Sequence, residues 1–153
     1  MSDVPPGVPV PDSANGTFGF VVEQTLAASA SDIYQAWTER IDSWFAAPGA
    51  AAMTAEVGAP FWFETEFDGT RHPHYGRFTR LDPDRLIEMT WVTGRAGTDG
   101  AETLVTVELQ TATDSTQVRL THGGFYDGAS AQQHLDAWPR VLEHLDEVLS
   151  RPS

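Results

Sequence analysis

Apolar residues fall on alternate positions between Phe18 and Leu26, where Phe18, Phe20, Val22 and Leu26 share one side of an extended chain. A period of two predicts a strand with one buried face. Ser29 then opens a helical segment. Asp32 stands three residues on in a capping-box-like position, and Tyr34, Trp37, Ile41, Trp44 and Phe45 follow at helical spacings, enough for two short helices ending at Pro48-Gly49. The period of two returns with Phe61, Phe63 and Phe67, on a strand that closes at Asp68-Gly69, a pair suited to the positive φ of a hairpin turn. His72 to Leu81 is the returning strand, and Asp82-Pro83-Asp84 makes the next turn. Ile87, Met89 and Trp91 alternate within Arg85 to Thr93, a loop runs from Gly94 to Gly100, and Val105, Val107 and Leu109 mark a further strand. Thr113-Asp114-Ser115 turns the chain into Val118, Leu120 and His122. Together these strands predict an antiparallel meander. From Ser130 to Ser150 the period changes, and Leu135, Trp138, Val141, Leu142, Leu145, Val148 and Leu149 form one stripe of a helix. Pro139 lies inside it without the N–H that would bond the Leu135 carbonyl, which predicts a kink or an interrupted turn beside Trp138.

The pattern begins only at Phe18. Pro5, Pro6, Pro9 and Pro11 are interleaved with small residues before it, a composition favouring extended conformations over packing, so residues 1–17 read as a flexible proline-rich tail and 18–150 as one domain. A chain of 153 residues suits a single domain with a sizeable core. With 22 acidic residues against 9 basic ones the formal charge is −13, and every basic residue is an arginine. Lysine-dependent chemistry is thereby excluded, and sparse positive charge argues against nucleic acid or an anionic membrane surface as partner. The cysteine count of 0 removes thiol, iron–sulfur, zinc-finger and disulfide readings and fits a reducing compartment. No apolar run is long enough to span a membrane, and no signal peptide is recognisable, so the expectation is a cytoplasmic protein.

Several short motifs occur in an order that is informative as a set. They are Ser31-Asp32-Ile33-Tyr34-Gln35-Ala36-Trp37-Thr38, Trp44-Phe45, Gly76-Arg77-Phe78, Leu81-Asp82-Pro83, Arg85-Leu86, Thr90-Trp91, Glu102 to Val107, Leu120-Thr121-His122, Gly124-Phe125, and Trp138 with Leu142. Over residues 18–150 the chain resembles the family of homologues of the heat-shock-protein-90 ATPase activator. That resemblance implies an α+β, START-like helix-grip fold. A curved antiparallel sheet would wrap around a long C-terminal helix, with two short helices after the first strand and often a cavity between sheet and helix. Pro139 departs from the uninterrupted helix the family leads one to expect.

Alternation places His72, His74 and Phe78 on one strand face and His122 beside Leu120 and Val118 on another, with His134 at the edge of the helical stripe. His-x-His on a strand is a metal-ligand spacing, but the remaining ligands are missing from the pattern, so hydrogen-bonded histidines are preferred and no metal or other cofactor is expected. His74, His122, Glu102 and Tyr75 are the candidates for acid–base work, and no nucleophile elbow or phosphate cradle accompanies them. Glu64, Glu66, Glu88 and Glu108 alternate away from the apolar face and read as solvated surface. Aromatic residues are the larger signal, with five tryptophans and eight phenylalanines. They fill a core or line a pocket. The expected ligand-binding lining is Phe63, Phe67, His74, Trp91, Val105, His122 and Trp138, taking a hydrophobic or aromatic small molecule without obligatory catalysis. The rival readings are a protein-interaction domain with a chaperone or another protein as partner, and a cyclase- or aromatase-type enzyme using the pocket histidines. A monomer and a homodimer are equally compatible with the pattern.

Overall fold

The computed structural model describes residues 18–67, 69–94, 98 and 100–151. The tail at 1–17, Asp68, and most of the loop between Gly94 and Gly100 lie outside the described residues, as does the side chain of Phe67. Among the described residues seven strands and two α-helices follow one another as β1 (Phe18–Leu26), α1 (Ala30–Thr38), β2 (Ala51–Ala52), β3 (Pro60–Phe67), β4 (Thr70–Asp82), β5 (Leu86–Thr93), β6 (Thr103–Ala112), β7 (Ser115–Phe125) and α2 (Gly128–Leu149). The strands form one antiparallel sheet in the order β1-β7-β6-β5-β4-β3-β2. Consecutive strands are neighbours except that β1 pairs with β7, so the chain's first and last strands meet and the C-terminal helix leaves from that edge. This is the expected helix-grip architecture.

The period-two faces become the inner face of the sheet. Phe20, Val22 and Leu26 on β1, Ile87, Met89 and Trp91 on β5, Val105, Val107 and Leu109 on β6, and Val118 and Leu120 on β7 are all buried, while Phe18 at the strand's start is exposed. Ser29 caps α1, its hydroxyl accepting from the Asp32 N–H at 3.1 Å. Of the two short helices expected there, the second is a 3₁₀ turn of three residues, Ile41–Ser43. The short strand β2 had no signal in the pattern.

Two glycines are demanded by the backbone. A Cβ on Gly76 would overlap the Thr90 carbonyl oxygen and come within 2.6 Å of the Phe61 ring, so β4 approaches β5 as only glycine permits. Gly124 has φ +98 at the irregularity between Phe18 and Gly19, where β1 passes from facing Phe125 to facing Gly123. The bulge turns Phe125 into the core.

Asp127 caps helix α2, its carboxylate accepting from the Ser130 N–H at 2.7 Å. It runs as a continuous helix through Pro139, so the interrupted turn expected there does not occur. Pro139 itself is exposed and its turn is flanked by the buried Trp138 and Leu142, whose packing holds the helix across the missing hydrogen bond. Near the C-terminal end, Asp146 accepts from the N–H groups of Ala27 and Ala28, both at 3.0 Å, which ties the helix to the loop after β1.

One surface expectation is corrected. Glu88 is buried on the outer face, not solvated. A bulge between Phe78 and Arg80 brings two successive side chains of β4 over it, and the carboxylate accepts from Thr79 (2.9 Å), Arg80 (2.6 and 3.0 Å) and, from β6, Thr106 (3.0 Å). Burial pushes its pKa up, but these four donors outweigh that and hold it below the ordinary carboxylate value. Glu66 and Glu108 are exposed as expected, and Glu64 is half-buried.

Candidate functional site

Strand register assembles the inner face row by row. Phe20 lies opposite His122, His122 opposite Val105, Val105 opposite Met89, and Met89 opposite Phe78, so one layer of side chains crosses five strands. In a neighbouring layer Phe63 faces His74 across β3 and β4. Their rings stack at 4.7 Å, and both meet Trp91, at 5.5 and 5.2 Å. Trp91 reaches α2 through Trp138 at 5.5 Å. Phe63, His74, Trp91, His122 and Trp138 thus form one connected aromatic cluster, and Val105 is fully buried in the layer beside it. Phe67 ends β3 opposite Thr70.

Three residues join the cluster that the expected lining omitted. Phe45 is half-buried, its ring lies 5.7 Å from Trp91 and nearly parallel to it, and it also meets Phe63, His74 and Trp138. It belongs to a non-repeating segment after the 3₁₀ turn, where periodicity carries no information about facing. His134 of α2 meets His122 at 5.2 Å and Phe125 at 4.8 Å. Trp37 of α1 packs on Trp138 at 5.8 Å and Trp44 at 5.1 Å. Its Nε1 is the one enclosed side-chain polar atom among the described residues with no hydrogen-bond partner.

The histidines divide into two kinds. The Thr103 hydroxyl donates to the Trp91 carbonyl at 2.6 Å, so it accepts from His122 Nε2–H at 2.8 Å, and His122 Nδ1 accepts from Trp138 Nε1–H at 3.0 Å. Both ring nitrogens are therefore engaged in a fully buried network, and the tautomer follows from its partners. Burial, with His134 adding to it, holds the His122 pKa well below the ordinary value. His74 and His134 each use Nδ1–H on a backbone carbonyl, that of His72 at 3.0 Å and that of Ser130 at 2.9 Å. Each keeps an Nε2 lone pair with no hydrogen-bond partner among the described residues. Burial is also the main cause of their lowered pKa values, the bonded carbonyls opposing it; His74 is brought to about 4, with His134 and His72 contributing repulsion.

The other acid–base candidates are Tyr75 and Glu102. Tyr75 is 50% exposed, on the face opposite His74, and Glu102 lies half-buried just before β6. His72 makes none of the cluster's ring contacts among the described residues. No group of three or more His, Asp or Glu side chains among the described residues is arranged to hold a metal ion. No helix among them is long and apolar enough to cross a membrane.

Solved structures share this architecture. A protein from Chromobacterium violaceum superposes with a TM-score of 0.72 at 19% identity, over 88% of this chain and 99% of that one. The Aha1 dimer from Colwellia psychrerythraea gives 0.64 at 23% identity, over 86% and 96%. DynU16, a protein of the dynemicin biosynthetic locus, gives 0.70 at 18% identity, over 86% of this chain and 46% of that one. At these identities the likeness concerns the fold. No curated protein matches the sequence. The family model described as activator of Hsp90 ATPase homolog 1-like protein matches residues 27–150, the whole span from the β1–α1 loop to the end of α2, and the chain belongs to that family.

Proposed function

We propose that this domain binds an aromatic or otherwise apolar small molecule between the inner face of the sheet and α2, against Phe63, His74, Trp91 and Trp138, without obligatory catalysis. Val105, His122 and Phe67 complete the lining proposed from the sequence. The observation that carries the reading is the half-buried Phe45, stacked on the buried Trp91 in the middle of the cluster. A flat apolar guest that displaces this ring would meet the faces of Trp91, Phe63 and His74 and gain the same kind of contacts, each aromatic pair contributing about 0.5–1.5 kcal/mol beyond the area buried. The cluster contains no arginine and the chain no lysine, which favours a neutral guest over a carboxylate or phosphate. DynU16's membership of a biosynthetic locus supports a small-molecule role in a relative of this fold.

Titration with a panel of aromatic and acyl compounds, followed by tryptophan emission, tests the reading because Trp91 and Trp138 adjoin the proposed site. A saturable change that is altered by Phe45→Ala is the expected result. Absence of a saturable response across the panel would overturn the reading in favour of a protein-interaction role, the second reading, which the family's name as an ATPase activator supports.

A further inference from the structure

We infer that the site selects hydroxyaromatic ligands, which donate a hydrogen bond, over the corresponding ethers and carboxylates, with His74 Nε2 and His134 Nε2 as the acceptors. The inference rests on the ligand-binding reading above and adds the polarity of the ligand to it. It follows from hydrogen-bond inventory. Each imidazole has one donor and one acceptor when neutral, and the local carbonyl decides which nitrogen keeps the proton. The carbonyls of His72 and Ser130 take the Nδ1 protons, so what His74 and His134 have left to offer is a lone pair in both cases. His122, the third imidazole of the cluster, offers nothing, because Thr103 and Trp138 hold both of its nitrogens.

The two acceptors come from opposite walls. His74 stands on β4, stacked on Phe63 and edge-on to Trp91, and His134 stands on α2 beside His122 and Phe125. Both rings are packed among aromatic side chains, and burial favours their neutral forms, so the site does not supply the cation a carboxylate would need. A phenolic hydroxyl satisfies an Nε2 lone pair while its ring lies on the aromatic cluster. An ether of the same ring buries similar apolar area but donates nothing, and a carboxylate places its lone pairs against those of the histidines.

Isothermal titration calorimetry at neutral pH with naphthol, its methyl ether and naphthoate separates the possibilities. Naphthol should bind about threefold to tenfold more tightly than the ether, the range one neutral hydrogen bond gives, and naphthoate weakest of the three. With both acceptors removed, in the double variant His74→Phe/His134→Phe, the naphthol-to-ether ratio should fall toward one, and His74→Gln in place of His74→Phe in that pair, which retains an acceptor, should restore part of it. Circular dichroism establishes that each variant is folded, and the wild-type ratio decides the matter without them. Equal binding of naphthol and ether to the wild type would overturn the donor inference and leave the ligand-binding reading standing. Tightest binding of naphthoate would overturn it as well. No binding of any of the three would overturn both.

Discussion

The two ends of the aromatic cluster differ in what their histidines have left to do. Around His122 every polar atom is spoken for: Thr103 and Trp138 hold the ring, and the Trp91 carbonyl takes the threonine proton. Around His74 and His134 the backbone takes one nitrogen of each ring and the other has no hydrogen-bond partner among the described residues, and the half-buried Phe45 covers the neighbouring aromatic surface. The same residue type on the same inner surface is thus a structural fastener at one end and a receptive group at the other. Burial alone does not distinguish the two, since it lowers all three pKa values. The local partners do.

Acid should produce the largest effect. For all three histidines the folded pKa lies below the unfolded value of 6.5, so the stability that goes with the neutral rings is complete above about that pH and is lost as pH falls toward the folded values, about 4 for His74. While it stays neutral in the folded state, His74 costs up to about 1.4 kcal/mol per pH unit, about 2 kcal/mol by about pH 5, and His122 and His134 add to this in the same direction. Urea unfolding across this range measures the slope. The His74→Phe variant should reduce that slope by one proton's share without lowering stability at neutral pH by more than about 0.5 kcal/mol.

Breaking the closed end comes next. His122→Leu strands the Trp138 N–H in the core and removes two buried hydrogen bonds, an expected loss of about 3 kcal/mol in chemical denaturation. A smaller contrast separates two tryptophans. Trp138→Phe leaves His122 Nδ1 unsatisfied, whereas Trp37→Phe removes an N–H that has no partner among the described residues, so the first should cost about 1–2 kcal/mol more than the second. Equal losses in the pair would show that ring volume, and not the hydrogen bond, sets the energetics of the closed end.

Much of this was legible in the residue pattern. Alternation identified the inner faces of β1, β5, β6 and β7, and the motifs around Trp37, Gly76 and Trp138 pointed to the fold. Of the expected lining, Phe63, His74, Trp91, His122 and Trp138 come together as one cluster. Phe45 was placed in a helical stripe, but α1 ends at Thr38 and the 3₁₀ turn at Ser43, so its facing is set by an irregular segment and not by the period. Glu88 was misread because alternation gives a side but not what covers that side, and the bulge that brings Thr79 and Arg80 over it depends on strand pairing. Pro139 was read as a kink or an interrupted turn, and the turn is not interrupted: the helix continues through it beside the packed Trp138 and Leu142. The difference between His122 and the other two histidines was beyond reach of the pattern, because it depends on which carbonyl or hydroxyl stands a hydrogen bond away.

That difference can be observed directly. Long-range proton–nitrogen correlation spectra of the folded protein at neutral pH report which nitrogen of each imidazole carries the proton. The account predicts the Nε2–H form for His122 and the Nδ1–H form for both His74 and His134. Nε2–H forms at His74 and His134 would contradict it, for the open end would then present donors in place of lone pairs.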